Sequence, residues 1–469
     1  MMATLYRRHA RNLFGASVLA LSLAAGPSLA ETIFTPTSDG FVGDVSAEAP
    51  NRAPIYAGTP VTISGEDLTP GQQITLMRGT TVLNADTPLT VAADGTFSFD
   101  VTVDEEAATG LQPIVVIGEN PAAATVVDLK VSPEVPVSGA EQFDILSQPV
   151  TRGLYQVAYS PKSDALFVTA AVGRPPVKES ALVKVNPETL ETIAQVTPDA
   201  APARKDGSDG GLFAVYGIDV DDANGTIWVT NTRQNTVAVY SQDDLSLVKQ
   251  FAPDAAPHPR DIVVDEGNNR AYVSTSFTPE ILVFDTKTLE PLEPITVPSN
   301  IRGEDFGTMA LDLDEKAGKL VTASLNTPEA AIVDLNTGEV KVFEAKGAQG
   351  ASGAAFDAQD GLVFVASQQT DNLLIIKADT GEVLHDVEIG AGPLNVTFEP
   401  VSRHAFVANR GSGTITVVDT EGKIVANLDA GSFPNQLRAD GKGNVYAVNK
   451  SRGENDEAGD RVWRIHAAD

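Results

Sequence analysis

Cysteine is absent from the 469-residue sequence, which rules out disulfides, thiolate metal sites and a thiol nucleophile. Histidine is nearly as scarce. Apart from His9, only His258, His385, His404 and His466 occur, and no spacing among them suits zinc. Neither a GxSxG elbow, a Walker loop nor a dinucleotide fingerprint is present. Positive charge is short as well: 33 Lys and Arg against 63 Asp and Glu give a formal net charge of −30. Such a surface repels polyphosphates at long range and argues against general nucleic-acid binding. No apolar run reaches the length that crosses a bilayer, so no transmembrane segment is expected. A sustained 3.6-residue apolar period is also missing. Short alternating runs of Val, Ile, Thr and aromatics, punctuated by Gly, Pro, Asn and Asp, predict an all-β protein.

The chain opens with Arg7, Arg8 and Arg11, an apolar run from Leu13 to Ala25, and small residues at Ser28 and Ala30. This pattern predicts an export signal over 1–30 and a periplasmic or secreted protein. A flexible leader is expected over 31–50. From there PVTISG, QITLMRG, TFSFDVTV, QPIVVIGE and TVVDLKV alternate with turn-forming pieces, which predicts an immunoglobulin-like β-sandwich over 51–132. Residues 31–139 hold Arg52, Arg78 and Lys130 against fifteen acids. Such an acidic module suits a spacer or a protein-docking role. Residues 133–140, around SPEVPVSG, read as a linker.

Beyond it one pattern recurs seven times, as ALFVTA, TIWVTN, RAYVST, KLVTAS, LVFVAS, HAFVAN and NVYAVN. The large-residue position falls at Phe167, Trp228, Tyr272, Val321, Phe364, Phe406 and Tyr446, at intervals of 61, 44, 49, 43, 42 and 40 residues. Periods of this size mark stacked β units. An alternating strand precedes each core, a third follows, and a fourth closes the first six units. The seventh ends at RVWRIH without one. Because an open blade edge is a liability, QFDILSQ within 141–149 is expected to complete the last blade. The whole of 141–469 then reads as a seven-bladed β-propeller.

The cores WVTN, FVAN and YAVN, followed by VxVxD-like strands, resemble YVTN-type β-propellers, including YncE-like periplasmic proteins. The resemblance covers about residues 141–469 and implies a propeller fold. It implies little about activity, because the motif residues are mainly structural.

DVDDANG, Asp219 to Gly225, has Ala223 where a calcium loop needs an oxygen ligand, and other units carry VDEGNN, DLDEKAG and FDAQDG at the same place. It reads as a turn. No metal or cofactor is expected. Aligning the units puts Gln156, Gly217, Asp261, Ala310, Gly353, Asn395 and Gln436 at one mouth of the channel, each preceded by Tyr155, Tyr216, Arg260, Met309, Ser352, Leu394 and Asn435. The ends of the second strands bring Arg233, Asn409, Arg410, Lys450 and Arg452 to the same face. Against an acidic background this concentration of donors suggests recognition of something anionic or carbonyl-rich. The ligand-binding candidates are therefore Arg233, Arg260, Asp261, Asn395, Asn409, Arg410, Asn435, Gln436 and Lys450. The alternative reading is that the asparagines cap turns and the cations balance nearby acids as solvated pairs. No catalytic set stands out. The expected function is non-catalytic binding of a periplasmic or cell-surface protein, a peptide or a small anion. The alternative is a hydrolase or lactonase-like propeller using His258, Arg260, Asp261 and Arg410.

Overall fold

The computed structural model describes residues 40–468. The proposed export signal lies outside them. Apart from three single 3-10 turns, the regular structure is entirely β. No helix among the described residues is long and apolar enough to cross a membrane.

The N-terminal part is a two-sheet sandwich. Strands Asp44–Glu48, Pro60–Glu66 and Phe97–Thr102 form one sheet. The other is built from Gln73–Arg78, Gly110–Glu119 and Ala123–Val131, with two short edge pieces. Ile63 of the first sheet and Leu76 and Val116 of the second are fully buried in one shared core. The leader expected over 31–50 is corrected over Asp44–Glu48, its residues 31–39 lying outside the described residues. Asp44–Glu48 is a strand paired with Pro60–Glu66 from Asp44↔Glu66 to Glu48↔Thr62. Its alternation puts Val45 and Ala47 against the core, enough to hold five residues that composition alone marks as solvated.

The linker is also pinned. Ser138 and Asn427 exchange backbone hydrogen bonds of 2.9 and 3.0 Å, and Asn427 Nδ2 donates to the Val135 carbonyl at 2.9 Å. Gly139, at φ 74°, lies so close to the sixth sheet that a Cβ would stand 2.7 Å from Ala426 Cβ. The sandwich reaches the ring a second time through Lys130, whose Nζ donates to Asp371 Oδ1 at 2.7 Å and to the Gln368 carbonyl at 2.8 Å.

Seven four-stranded antiparallel sheets follow, the first six each running from innermost to outermost strand in chain order. The inner strands Leu154–Ser160, Ile218–Asp221, Pro259–Asp265, Thr308–Asp314, Ala351–Asp357, Pro393–Glu399 and Pro434–Ala439 pack side by side, and the last meets the first. This closed ring is a β-propeller. In the final sheet Arg461–Ala467 pairs with Phe143–Pro149, from Arg461↔Pro149 to Ala467↔Phe143. The strand missing from the end of the repeat is thus supplied from before its beginning. Apolar clusters fill the gaps between sheets: Trp228, Phe251 and Phe284 join the second and third, and Phe364 stacks on Phe398 at 5.0 Å between the fifth and sixth. Leu154, Val157, Tyr446 and Val462 join the first and seventh across the seam.

Polar staples accompany this packing. An oxygen on each inner strand accepts a backbone N–H of the next: Gln156 from Ile218, Asp219 from Val264, Asp261 from Leu311, Asp312 from Phe356, Asn395 from Leu437 and Gln436 from Val157, at 2.8 to 3.1 Å. Between the fifth and sixth sheets the sense reverses, and Ser352 Oγ donates to the Leu394 carbonyl at 2.9 Å. Gly353 makes this exception possible, because a Cβ there would stand 2.9 Å from the Val396 nitrogen.

A chain covering residues 138–468 is expected to fold by itself, because it contains every strand of the ring. One covering 151–468 lacks the closing strand, exposes two edges, and should lose several kcal/mol of cooperative stability. Equal melting temperatures for the two would overturn the closure account.

Candidate functional site

On three of the seven sheets the loop of the upper face is positioned by the same device. Asn231, Asn409 and Asn449 end the second strands of their sheets and are buried, at 0, 0 and 1 % exposure. Asn449 Nδ2 donates to the Ala430 and Ala458 carbonyls at 2.8 and 2.7 Å, while its Oδ1 accepts from Arg461 N at 2.8 Å. Asn409 Nδ2 donates to Thr416 Oγ1 at 2.7 Å. With the asparagine locked inside the sheet, the residues that follow, Arg233, Arg410 and Lys450, overhang the channel mouth. Beneath them lie Tyr155, Tyr216, Arg260, Met309, Leu394 and Asn435 from the inner strands. Together they bound a cavity of about 400 Å³.

Four cations line this cavity and no carboxylate does. Arg233, Arg260, Arg410 and Lys450 take part in no ion pair among the described residues. Aromatic faces stand in for anions. Arg260 and Lys450 lie 5.0 and 4.9 Å from the Tyr155 ring centroid, Arg410 is 4.8 Å from Phe433, and Arg233 donates to the Tyr216 hydroxyl at 3.3 Å. Asn435 accepts from Arg410 Nη1 at 2.7 Å and donates to the Tyr155 carbonyl at 2.6 Å, tying the sixth, seventh and first sheets together. Arg260 Nη1 is buried without a hydrogen-bond partner. Burial, followed by the Arg410 charge, brings the Lys450 pKa down to about 8. Burial also lowers Arg410, and burial with Arg233 and Arg260 lowers His258 on the rim.

Five of the nine candidates, Arg233, Arg260, Arg410, Asn435 and Lys450, thus meet in one cavity. The other four are turned to internal tasks. Asp261, 3 % exposed, spends both oxygens on the backbone amides of Ile262 and Leu311, each at 3.0 Å. Asn395 and Gln436 are staples of the ring, and Asn409 holds its own loop. Each had been expected at the mouth. The inner strands slip register nearby, between Pro259 and Ile262, Pro393 and Asn395, and Pro434 and Gln436, so side-chain direction departs from simple alternation. The set His258, Arg260, Asp261 and Arg410 is therefore divided, with its acid removed from the cavity.

At the opposite mouth lies an acidic depression of about 820 Å³ that sequence reasoning missed. Asp219, Asp312, Glu315, Glu266, Asp357 and Asp440 line it with Arg403, Lys316 and the channel residue Arg438. Burial acts to lower the Arg438 pKa, but Asp219, Asp261 and Asp312 outweigh it and raise the value. Burial pushes Asp219 up to about 6 against the opposing pull of Arg438; burial, Asp265 and Glu266 push Glu315 up to about 7. The available signal was the acid ending nearly every inner strand, which also forms the following turn: Asp221 accepts from Asn224 N at 2.9 Å and Asp440 from Lys442 N at 2.7 Å.

With this geometry in view, known proteins can be compared. No protein-family model matches the chain. The uncharacterized protein YncE of Salmonella typhimurium is 24% identical over 335 residues, which cover 67% of this chain and 88% of the relative. YncE of Escherichia coli K12 is 22% identical over 338 residues with the same coverage. The ring is a YncE-like propeller. Among solved structures, the virginiamycin B lyase of Staphylococcus aureus superposes with a TM-score of 0.53 at 13% identity, covering 70% of this chain and all of the lyase. The WD40 repeats of RRP9 superpose with a TM-score of 0.54 at 11% identity, over 71% of this chain and all of theirs. At such identities the likeness concerns the fold alone.

Asp219 and Glu315 hold their protons more tightly when folded than at their ordinary values of 3.8 and 4.5. Their contribution to stability therefore falls as pH rises from about 4 to 7. The double variant Asp219→Asn, Glu315→Gln keeps an acceptor for Val264 N–H. Relative to wild type, its melting temperature should gain most at pH 7.5 and least at pH 4.5. A difference independent of pH would show that neither group titrates as described.

Proposed function

We propose that this is an exported, non-catalytic binding protein whose propeller recognises a small anionic ligand on its upper face. One observation carries the reading: four cations without ion-pair partners converge on a carboxylate-free cavity in a chain of net charge −30. Arg260, Arg410 and Lys450 are half-buried and Arg233 is exposed. Withdrawing charge even partly from water without a partner disfavours a fold, and the arrangement makes physical sense when a ligand supplies the missing anion. The cavity's concavity and size suit a small molecule better than a flat protein surface. The amino-terminal signal supports export to the periplasm or beyond, and the acidic sandwich, immunoglobulin-like in this reading, serves as a spacer or docking module. Because Asp261 commits both oxygens to backbone amides and does not line the cavity, binding is favoured over the hydrolase alternative.

Calorimetry with citrate and inorganic phosphate tests the assignment. Replacing Arg260 and Arg410 together by alanine should weaken anion binding by roughly 2 to 4 kcal/mol, provided melting shows the variant folded. Unchanged affinity in a folded double variant would remove the upper face from consideration.

Lys450 supplies a second, independent signature. Its charge is lost near pH 8, so affinity should decline between pH 7 and 9 in wild type and stay flat in Lys450→Met. In the absence of ligand the same variant should be more stable than wild type at pH 7, by on the order of 1 kcal/mol, because the unfolded lysine binds its proton more tightly than the folded one. That advantage should shrink above pH 8. A variant less stable at pH 7 would contradict the unpaired state of the lysine.

A further inference from the structure

Resting on the anion-site reading, we infer that the ligand is a small aromatic polycarboxylate, an apolar ring bearing three or more negative charges. The argument starts from the angular distribution of the lining residues. Arg233, Arg260, Arg410 and Lys450 come from the second, third, sixth and seventh sheets, so their charges approach the cavity from four directions. A single carboxylate can satisfy one guanidinium fork, or bridge two, but it cannot reach four donors spaced around a ring. The cations also repel one another. Arg410, Arg260 and Arg233 all act to lower the Lys450 pKa, and Arg260 acts to lower that of Arg410. Relieving repulsion of that extent takes several anionic groups. Three of the four donors are planar forks, a shape matched to carboxylate edges.

The remaining arc is of the opposite character. On the fourth sheet Met309 and Leu325 line the cavity without a cation, Gln368 of the fifth adds a neutral amide, and Leu394 of the sixth contributes apolar surface on the side that also carries Arg410. Phe277, on the third, stands at the rim with 60 % of its surface exposed, its ring centroid 4.9 Å from that of His258. The rings of Tyr155 and Tyr216 are occupied by Arg260, Lys450 and Arg233, so Phe277 offers the open aromatic surface of the site. A ligand of charge alone would leave this arc wet; an apolar body alone would leave the cations unpaired. A compact ring with carboxylates on its perimeter satisfies both, and about 400 Å³ lies at the small end of ligand cavities.

Three probes separate the components. Benzene-1,3,5-tricarboxylate has ring and charges, tricarballylate has the charges without the ring, and benzoate has the ring with one charge. Calorimetry on the whole mature protein at pH 7 should rank them in that order. Tricarballylate should bind about tenfold, and benzoate about a hundredfold, more weakly than the aromatic tricarboxylate. Phe277→Ala should weaken the aromatic tricarboxylate while leaving tricarballylate unchanged, and Arg410→Ala should weaken both. Equal affinity of tricarballylate would overturn the ring, and equal affinity of benzoate would overturn the charge count. If citrate or phosphate binds through Arg260 and Arg410 but the aromatic tricarboxylate does not, this inference fails and the anion site stands. If no anion binds, both fall.

Discussion

Everything in the propeller depends on how each inner strand satisfies the next one's backbone. Seven twisted sheets converge on an axis where their inner strands face each other at an angle and cannot form a common ladder. Side-chain oxygens close that gap. Gln156, Asp219, Asp261, Asp312, Asn395 and Gln436 each accept one N–H from the following sheet, and the last hands the ring back to the first. A buried amide left without a partner costs about 1 to 3 kcal/mol, so this circle of short bonds fixes the spacing between sheets as firmly as the apolar clusters beside it. The geometry of the upper cavity follows, because Tyr155, Arg260, Leu394 and Asn435 each sit one residue before a staple.

The staples also divide the channel electrostatically. Asp219, Asp261 and Asp312 carry out a task that a neutral Gln or Asn performs elsewhere in the ring, so their charge is an addition to the staple rather than a requirement of it. Arg438 offsets part of that charge from inside the channel. Below the staples the lining is mainly acidic; above them it is wholly cationic or neutral. The two tendencies are kept apart by a layer of hydrogen-bonded side chains, and the upper cations therefore remain unneutralised within a strongly negative protein. Arginine over tyrosine or phenylalanine is a compromise that keeps such charges tolerable without quenching them.

How much of this could be read beforehand divides along physical lines. The repeat was legible because burial between sheets demands an apolar strand at every recurrence, and the closing strand was legible because a three-stranded last unit leaves an edge that only Phe143–Pro149 can cover. Arg233, Arg410 and Lys450 were legible from their position just after second strands, and Arg260 from its place at the start of an inner strand. Direction was not: Asn395 and Gln436 were counted as donors at the mouth and Asp261 as its acid, and the register slips beside them turn all three into the ring. Asn409 went the same way, since a buried asparagine and an exposed one are identical in sequence. The Asp44–Glu48 strand escaped notice because five residues with two acids look solvated until a partner strand is known.

The contrast between Asn409 and Arg410 explains how a repeat protein acquires a site at all. Positions that hold the sheets together tolerate few residues: the asparagines at 231, 409 and 449 are each buried, and each secures the start of a loop. The residues just beyond differ from one sheet to another: Thr232 bonds to the Pro259 carbonyl of the third sheet at 2.6 Å, while Arg233, Arg410 and Lys450 overhang the mouth. Repetition thus sets where side chains can overhang the mouth without setting what they are. Cations from four sheets and apolar residues from the fourth and sixth could accumulate there because neither group disturbs a staple or a sheet core. Charge that by its repulsion opposes folding is tolerated at these positions, where it comes without the opposite charges that accompany the acids of the lower depression, which is the physical mark of a surface shaped for something other than the fold.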